Sequence, residues 1–483
     1  MKIAILADLH LTDNFNTVKR NVLEWALAKI VEQNCNYICC IGDLTAQGSV
    51  EQADKVLSYL YATNIDFCST PGNAELRIYS DGRIAKKFDI LPAKEIPLIL
   101  VDTSFDQPTK EDLEKISALK DNSNYLLATH NPIVKWNPEA LEVVNNAIVR
   151  KAITGVIAGH SHHDAEGILR GLDPDKASGG APMFSIFEQD VEGSWNRKDI
   201  VMEGIEPKDW DRDFKETFIR NLGVSTMWEE IEAFNFAISN NIKNVELRMG
   251  LDYPEELPQV IAQWRQNGGE ILSLHLPELR VVDEEENLRK YAQLAVKLGC
   301  NRVTLHVPKV TAAAFESQKE VLLDNFSKNL QVLLDNNIVI GIENLHTTAT
   351  CNTFETRNFG CTIAECYDWI MLLRGRFNTN LIGFHLDVGH ARNNAPIAGK
   401  ENLSDWYLKM GHLINGWHIH QVVNKDGKFS NHQPMTSFSQ KLICLNGLIM
   451  ALQKGQLNNA PMFLEARTWP GNVESYTKLI ELL

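Results

Sequence analysis

The sequence predicts an α/β protein in two parts: a layered α/β domain over residues 1–205 and a (β/α)8 barrel over residues 216–483, joined by a linker at 206–215. Three observations lead there. Short apolar runs alternate with longer amphipathic stretches along the chain, the pattern of strands alternating with helices. From about residue 216 the alternation becomes regular, with eight strand-like runs over ~265 residues, as a closed barrel requires. The 483 residues also exceed one ordinary domain, because ~150 residues per domain is the prior and a barrel uses ~250.

In the first part, an apolar run at 3–7 is followed by a helix-like stretch at 18–33. Residues 37–41 read as a buried strand ending at Gly42-Asp43, 53–63 as a helix and 65–69 as a strand. Runs at 98–101, 125–128 and 155–157 continue the series. Around 165–205 the pattern changes to short alternating stretches, 167–172 and 183–190, with Gly179 and Gly180 between them. These read as an antiparallel edge that closes the domain. Residues 206–215 are polar and charged, as a linker would be.

The barrel strands are expected at 222–226, 244–249, 271–277, 302–308, 339–344, 381–390, 414–422 and 462–467, with helices such as 284–299 and 315–335 between them. A doubly wound open sheet is the rival; eight evenly spaced units favour closure.

Composition narrows the class. An apolar fraction of 44% with 23% charged residues is globular. The net charge of −15, negative in both halves, disfavours broad nucleic-acid binding, which wants a basic face, although a local basic groove stays open. Nine cysteines without a CxxC pair read as reduced thiols of a cytoplasmic protein. The apolar run before Asp8 is too short for a signal peptide, and no run of ~18 apolar residues suggests a membrane span.

Chemistry concentrates where the runs end. Five motifs occur in order: Asp8-Leu9-His10, Gly42-Asp43, Gly72-Asn73, Thr129-His130 and Gly159-His160-Ser161-His162. Their polar members fall at the C-terminal ends of expected strands, where open α/β sheets build sites. In Asp-x-His and His-x-His, side chains at i and i+2 of an extended backbone point the same way and can reach one ion. Carboxylates and an amide oxygen mixed with imidazoles suit Mn, Fe, Zn or Mg rather than a thiolate cluster. Two such ions ~3.5–4 Å apart can activate water and clamp a phosphate for in-line attack. A lone His130 would more often be a core histidine; five motifs in this order are a different matter.

On these motifs, residues 1 to about 200 resemble the calcineurin-like metallophosphoesterases. The resemblance implies a four-layer α/β sandwich and hydrolysis of phosphomonoesters or phosphodiesters by a binuclear centre. One metal would be held by Asp8, His10, Asp43 and His162. The second would be held by Asp43, Asn73, His130 and His160, with Asp43 bridging. His10, Asp43, Asn73 and His162 are the candidate catalytic residues. One departure stands out. The family has a histidine after the motif asparagine, which helps to protonate the leaving oxygen; here the residue is Ala74. Losing a general acid commonly removes ~10²–10⁴-fold for a poor leaving group. The substrate then carries a good leaving group, or an acid such as His163 or Glu75 acts instead; plain surface roles for these two are the alternative.

The barrel runs also end in ligand-type residues. The third offers His275, the fourth His306, the fifth Glu343, the sixth Asp387 with His390, the seventh His418 and His420, and the eighth Glu465, while His432 falls in the loop after the seventh. Polar groups at the C-terminal ends of barrel strands read as active-site residues. An unpaired carboxylate has little other use there. Of His418 and His420, one serves as a ligand and the other as support, with His420 favoured as the ligand. Bland readings suit others: His385 as packing or support, His412 on a helix, and Glu246 with Arg248 as an internal ion pair.

Residues Glu343, Asp387-Val388-Gly389-His390, the strand with His418 and His420, His432 and Glu465 resemble those of the xylose isomerase-like (AP endonuclease family 2) TIM barrels, shared by sugar isomerases, sugar epimerases and endonuclease IV. The resemblance implies a metal on Glu343, Asp387, His418 or His420, and Glu465, with one to three Zn or Mn ions in all. His390 is a candidate catalytic residue. His275 and His306 match endonuclease IV, but the loop that there offers Asp-x-His reads Ser430-Asn431-His432, so one ligand of a third metal is missing.

Three functions follow. A bifunctional enzyme would hydrolyse a small sugar- or nucleotide-containing phosphoester in its first domain and isomerise, epimerise or cleave in its barrel. A nucleic-acid processing enzyme would cut phosphodiesters with both; the acidic charge weighs against it. A barrel that only binds is the third. The first is favoured.

Overall fold

The computed structural model describes residues 1–12, 18–92, 95–176, 181–202, 210–282, 286–348, 350–393, 401–425, 428–435, 446–455 and 457–483. Two compact units emerge, one built on Met1–Glu206 and the other on Pro207–Ile443 and Leu448–Leu483.

The first unit holds strands β1 (Lys2–Leu6), β2 (Tyr37–Ile41), β3 (Asp66–Thr70), β4 (Leu98–Val101), β5 (Tyr125–Thr129), β6 (Ile153–Ala158), β7 (Met183–Gln189) and β8 (Trp195–Val201). Its helices are α1 (Val18–Glu32), α2 (Val50–Ala62), α3 (Lys110–Ser117) and α4 (Pro138–Val149). One sheet has the order β3-β2-β1-β7-β8 and the other β4-β5-β6. The first three strands run parallel, and β7 and β8 extend the sheet antiparallel, as the alternating stretch 183–190 predicts.

Both faces of β1 and β2 are buried, which is why these strands read as continuous apolar runs. Ile3, Ile5, Cys39 and Ile41 meet Leu126, Ala128 and Ile157 of the second sheet. Each fully buried isoleucine there contributes roughly 1.5–3 kcal/mol. On the opposite face, Trp25 of α1 meets Phe184 edge-on at 5.8 Å. Beyond the second sheet, Leu127 packs with Ile116, Ala140 and Val144 of α3 and α4. The layers are helix, sheet, sheet, helix.

Two expectations need correction. Residues 167–172 form no strand, because Gly167 and Gly171 turn the backbone to positive φ; only isolated bridges at Ile168 remain. Within the expected linker, residues 206–209 lie outside the described residues, and helix α5 (Arg212–Asn221) already begins. Asp211 caps it by accepting the Phe214 N–H at 2.8 Å, and Trp210 meets Phe214 edge-on and Phe218 at a tilt. Gly179 and Gly180 also lie outside the described residues.

In the second unit, β9 (Leu222–Ser225), β10 (Asn244–Leu247), β11 (Ile271–His275), β12 (Arg302–His306), β13 (Val339–Glu343), β14 (Ile382–Asp387), β15 (Ile414–Ile419) and β18 (Met462–Leu464) close a parallel barrel in the order β10-β11-β12-β13-β14-β15-β18-β9. An antiparallel hairpin, β16 (Gln421–Lys425) and β17 (Lys428–Gln433), follows β15. His432 therefore lies on a strand, not in a loop. The run expected to continue to residue 390 stops at Asp387. Its Oδ1 accepts the N–H of His390 at 2.7 Å and starts a short helix, Val388–Asn393. His412 lies in the turn after a helix rather than on it.

No helix among the described residues is long and apolar enough to cross a membrane. The eight cysteines among them are free thiols, and all but Cys351 are buried.

Candidate metal centres

In the first unit the strand ends bring the five motifs together. Asn73 Oδ1 lies 3.2 Å from His130 Nε2 and 3.2 Å from His160 Nδ1, and those two nitrogens are 3.2 Å apart. His130 Nδ1 faces the Ile41 carbonyl at 3.0 Å, and a carbonyl can only accept. The ring proton is thereby placed on Nδ1, leaving the Nε2 lone pair toward Asn73 and His160. Asp43 stands between the two halves: its Oδ1 is 3.4 Å from His130 and its Oδ2 3.5 Å from His10. Asp8, His10 and His162 group on the other side. The rings of His10 and His162 stack at 5.2 Å.

The electrostatics ask for cations. Burial, with Asp43 nearby, pushes the Asp8 carboxyl up to about 8. Burial holds His10 and His162 well below the usual histidine range, and burial with His130 brings His160 down to about 4. Neutral imidazoles beside crowded carboxylates are a ligand set. Among the described residues, both ring nitrogens of His10 and Nδ1 of His162 are buried without a hydrogen-bond partner. Divalent ions fit here.

Local backbone serves the same end. Asp8, His10, Asp43, His160 and His162 all have positive φ, between 50° and 68°, a region that costs non-glycine residues energy and gathers at functional sites. The Asp8 carboxylate accepts the His160 N–H at 2.8 Å, and Asp43 accepts the Ala74 N–H at 2.7 Å. A Cβ at Gly72 would collide with Asp43.

Glu75 is the group that spacing failed to place. It is buried, and its carboxylate accepts from the N–H groups of Asp43, Thr45 and Gly72 and from the Thr45 hydroxyl, at 2.7–3.0 Å. Neither a surface residue nor a mobile acid, it braces both motif loops. His163 is exposed, with Nδ1 3.0 Å from the Ser161 carbonyl.

In the barrel, Glu343, Asp387, His418 and Glu465 form one buried group and His275, His306 and Glu343 another. Register explains it: His306 pairs with Glu343 across β12 and β13, and Asp387 with His418 across β14 and β15. His275 and His306 approach Glu343 Oε2 at 3.1 and 3.4 Å. His418 Nδ1 lies 3.3 Å from Glu343, 3.2 Å from Glu465 and 4.0 Å from Asp387.

Its Nε2 lies 2.6 Å from Glu246, which also accepts from Ser273 and Thr304 at 2.9 and 2.6 Å. Glu246 therefore pairs with His418 and not with Arg248, whose guanidinium bonds to Glu465. Burial opposes a charge on His418, but Glu246 and Glu343 outweigh it and push the imidazole up to about 10. A positive charge is wanted at Nδ1. Among the described residues that atom, Glu343 Oε1 and Glu465 Oε2 have no hydrogen-bond partner, so a divalent ion fits here too.

His420, the preferred ligand of the pair, also stands in a ligand group, with Asp387, His432 and Glu465. Its Nδ1 accepts the backbone N–H of His432 at 2.9 Å, which places the proton on Nε2, 3.0 Å from Asp387. His418 groups instead with Glu343, Asp387 and Glu465, so each of the two histidines faces its own set of ligand atoms. His390 and His432 point Nε2 at each other across 3.3 Å. Carbonyls of Asn344 and Glu465 hold their Nδ1 protons, so two lone pairs converge where a cation would separate them.

His385 is a support: Arg302 Nη2 donates to its Nδ1 at 2.6 Å, and its ring lies 4.1 Å from that of His418. Spacing did not reveal His346, three residues past Glu343, whose ring lies 4.7 Å from His390.

Residues 1–164 match the family of calcineurin-like phosphoesterases, and residues 244–478 match the xylose isomerase-like TIM barrels. The chain joins a calcineurin-like phosphoesterase domain to a xylose isomerase-like TIM barrel. Among solved structures, the phosphoesterase domain is similar to a dimetal phosphatase from Danio rerio, with 14% identity over 39% of this chain and 92% of that one and a TM-score of 0.30. The TIM barrel is similar to a D-tagatose 3-epimerase-like protein, with 18% identity over 54% of this chain and 96% of that one and a TM-score of 0.39. It is also similar to endonuclease IV from Thermus thermophilus, with 15% identity over 54% and 98% and a TM-score of 0.38. No curated protein matches the chain. In the phosphoesterase domain, Ala74 is fully buried and offers no titratable group beside Asn73.

Proposed function

We propose that the chain is a bifunctional metalloenzyme whose phosphoesterase domain hydrolyses a small phosphorylated substrate, sugar- or nucleotide-containing, and whose TIM barrel acts on the same molecule or its product. The convergence of Asn73, His130 and His160 beside Asp43, with the His130 proton held on the far side, carries this reading. Asp8, His10, Asp43 and His162 would hold one ion and Asp43, Asn73, His130 and His160 the other. Glu343, Asp387, His418 and Glu465 would hold an ion in the barrel. Such ions, when bound, supply Lewis acidity and a nucleophile at neutral pH. The chain's own contribution is order: Glu75 holds the two motif loops, Asp8 fixes the His160 backbone, and Glu246 fixes the His418 tautomer.

Metal analysis with activity on a chromogenic diester tests the assignment. Asp43→Asn is expected to lose metal from the first domain and abolish hydrolysis; Glu343→Gln with Asp387→Asn is expected to empty only the barrel. Survival of diesterase activity in the first variant and its loss in the second would overturn it.

A second reading, phosphodiester cleavage in nucleic acid by the barrel, is favoured by His275 and His306 converging on Glu343. Salt-sensitive binding to DNA containing abasic sites would promote it; the net charge of −15 argues against it.

A further inference from the structure

The rim of the barrel holds a cavity of about 1050 Å³ that nothing above uses. Pro277, Glu278, Arg280, Lys309, Thr311 and Gln318 are in its lining. It stands beside the barrel centre. Pro277 comes two residues after His275, the last of β11, and Lys309 three after His306, the last of β12. Three residues of chain span at most about 11 Å, so the cavity wall begins within that distance of both histidines.

The charges in the cavity are arranged around one carboxylate. Glu278 is half-buried, with Oε1 3.0 Å from Lys309 Nζ and Oε2 2.8 Å from Arg280 Nη2. Two exposed cations thus share one acidic group, a positive surplus in a chain of net charge −15. The Lys309 N–H donates to the Leu279 carbonyl at 2.8 Å, which ties together the loops that carry them. Two helices, Asn287–Lys297 and Ala312–Asp335, also begin at the wall, and the positive ends of their dipoles add to the cations. Exposed ion pairs hold their partners weakly, so a more highly charged anion can displace Glu278. A phosphodiester has one negative charge, no more than the carboxylate. A phosphomonoester has roughly 1.5–2 at neutral pH and three terminal oxygens, which an arginine and a lysine together suit.

We infer, on the phosphoesterase reading above, that this cavity binds a phosphomonoester group of the barrel's substrate. Lys309 and Arg280 are its ligands, and Glu278 is the placeholder that it displaces. The rest of the molecule then faces His275 and His306. The barrel accordingly works while a phosphomonoester is still attached: after the phosphoesterase domain has opened a diester, or before it removes a monoester, but not on a dephosphorylated product.

Lysine acetylation of the full chain, read residue by residue by mass spectrometry, tests this at constant ionic strength. Asp43→Asn is the background, so that the first centre does not consume the probes. Methyl phosphate, a monoester, is expected to slow acetylation of Lys309 by about tenfold, the scale of a charge-assisted hydrogen bond. Lys110, whose side chain is 91% exposed, should react as before. Dimethyl phosphate, a diester, should protect Lys309 far less. Arg280→Met should weaken protection by methyl phosphate, and Glu278→Gln, which removes the competing carboxylate, should strengthen it.

No protection of Lys309, equal protection of Lys110, or equal protection by the two esters would overturn the assignment, the last pointing to a phosphodiester chain instead. Weaker protection in Glu278→Gln would overturn it too, because Glu278 would then be part of the binding framework. Should Glu278→Gln fail to fold by circular dichroism, the variant at exposed Arg280 decides, and unchanged protection there sinks the assignment. Diesterase activity in a wild-type chain whose Lys309 stays unprotected would remove this cavity alone. Protection of Lys309 in a wild-type chain without phosphoesterase activity would bring down the phosphoesterase reading and leave the anion site.

Discussion

His418 Nε2 and a carboxylate oxygen of Glu246 lie 2.6 Å apart, on the opposite side of the imidazole from Glu343 and Glu465. The contact decides which nitrogen carries the proton, and so which can bind a metal. Glu246→Gln should keep the shape but weaken that control. Metal affinity of the barrel is expected to fall by about 10–100-fold, as such supports commonly contribute. Competition with a chromogenic chelator measures it; an unchanged affinity would mean that Glu246 serves only the barrel core.

Glu75 tests the phosphoesterase domain in the same way. Glu75→Ala strips four donors in two loops of their acceptor. Each buried donor left unsatisfied costs roughly 1–3 kcal/mol. Thermal unfolding should show a large loss of stability, and metal content of this domain should fall while that of the barrel holds. Full metal occupancy in a folded variant would refute the bracing role.

Arg302 depends on glycine. It is buried, burial brings its guanidinium down to about 10, and Cβ atoms at Gly341 or Gly416 would run into it. Gly416→Ala is therefore expected to destabilise the barrel by about 1–3 kcal/mol, the usual cost of overpacking. Pairing the change with Arg302→Met, which removes the obstructed group, should recover part of that loss in urea denaturation. Simple additivity of the two changes would argue against the clash.

Glu401, whose carboxylate accepts the Ile363 N–H at 2.7 Å, supplies a pH prediction. Burial pushes its carboxyl up to about 7, above the ordinary 4.5. Because the folded value is the raised one, its stabilising contribution is complete below the ordinary value and is lost as pH rises through about 7. The melting temperature should decline between about pH 4.5 and 7 in wild type, by a step that Glu401→Gln removes. Parallel curves for the two proteins would exclude Glu401 as the cause.

Much of this was legible in the chain. The regular spacing of strand runs announced the barrel, because a strand buried on both faces has little choice but an apolar run. The five motifs are legible as one group, because each follows a strand and the ends of β1, β2 and β3 in one sheet meet those of β5 and β6 in the other. Sequence alone fell short where distant residues meet. Lys19 and Asp173 are 154 positions apart, and nothing local to either reveals the other. His418, near the end of its strand, and His420, just beyond it, differ only in the bonds around each ring, which spacing does not reveal. Glu246 and Arg248, two apart, suggested each other, yet each found a partner across the barrel.

The left-handed backbone at Asp8, His10, Asp43, His160 and His162 bears on how the first centre can be disarmed. Asparagine tolerates that conformation about as readily as aspartate, whereas alanine is less at home there and valine or isoleucine much less so. An aspartate-to-asparagine exchange removes charge and leaves the chain's path alone. An alanine or β-branched replacement perturbs the loop as well, so a dead variant of that kind could reflect a displaced neighbour as much as a missing ligand. For Asp8 and Asp43, asparagine is the informative inactivating substitution.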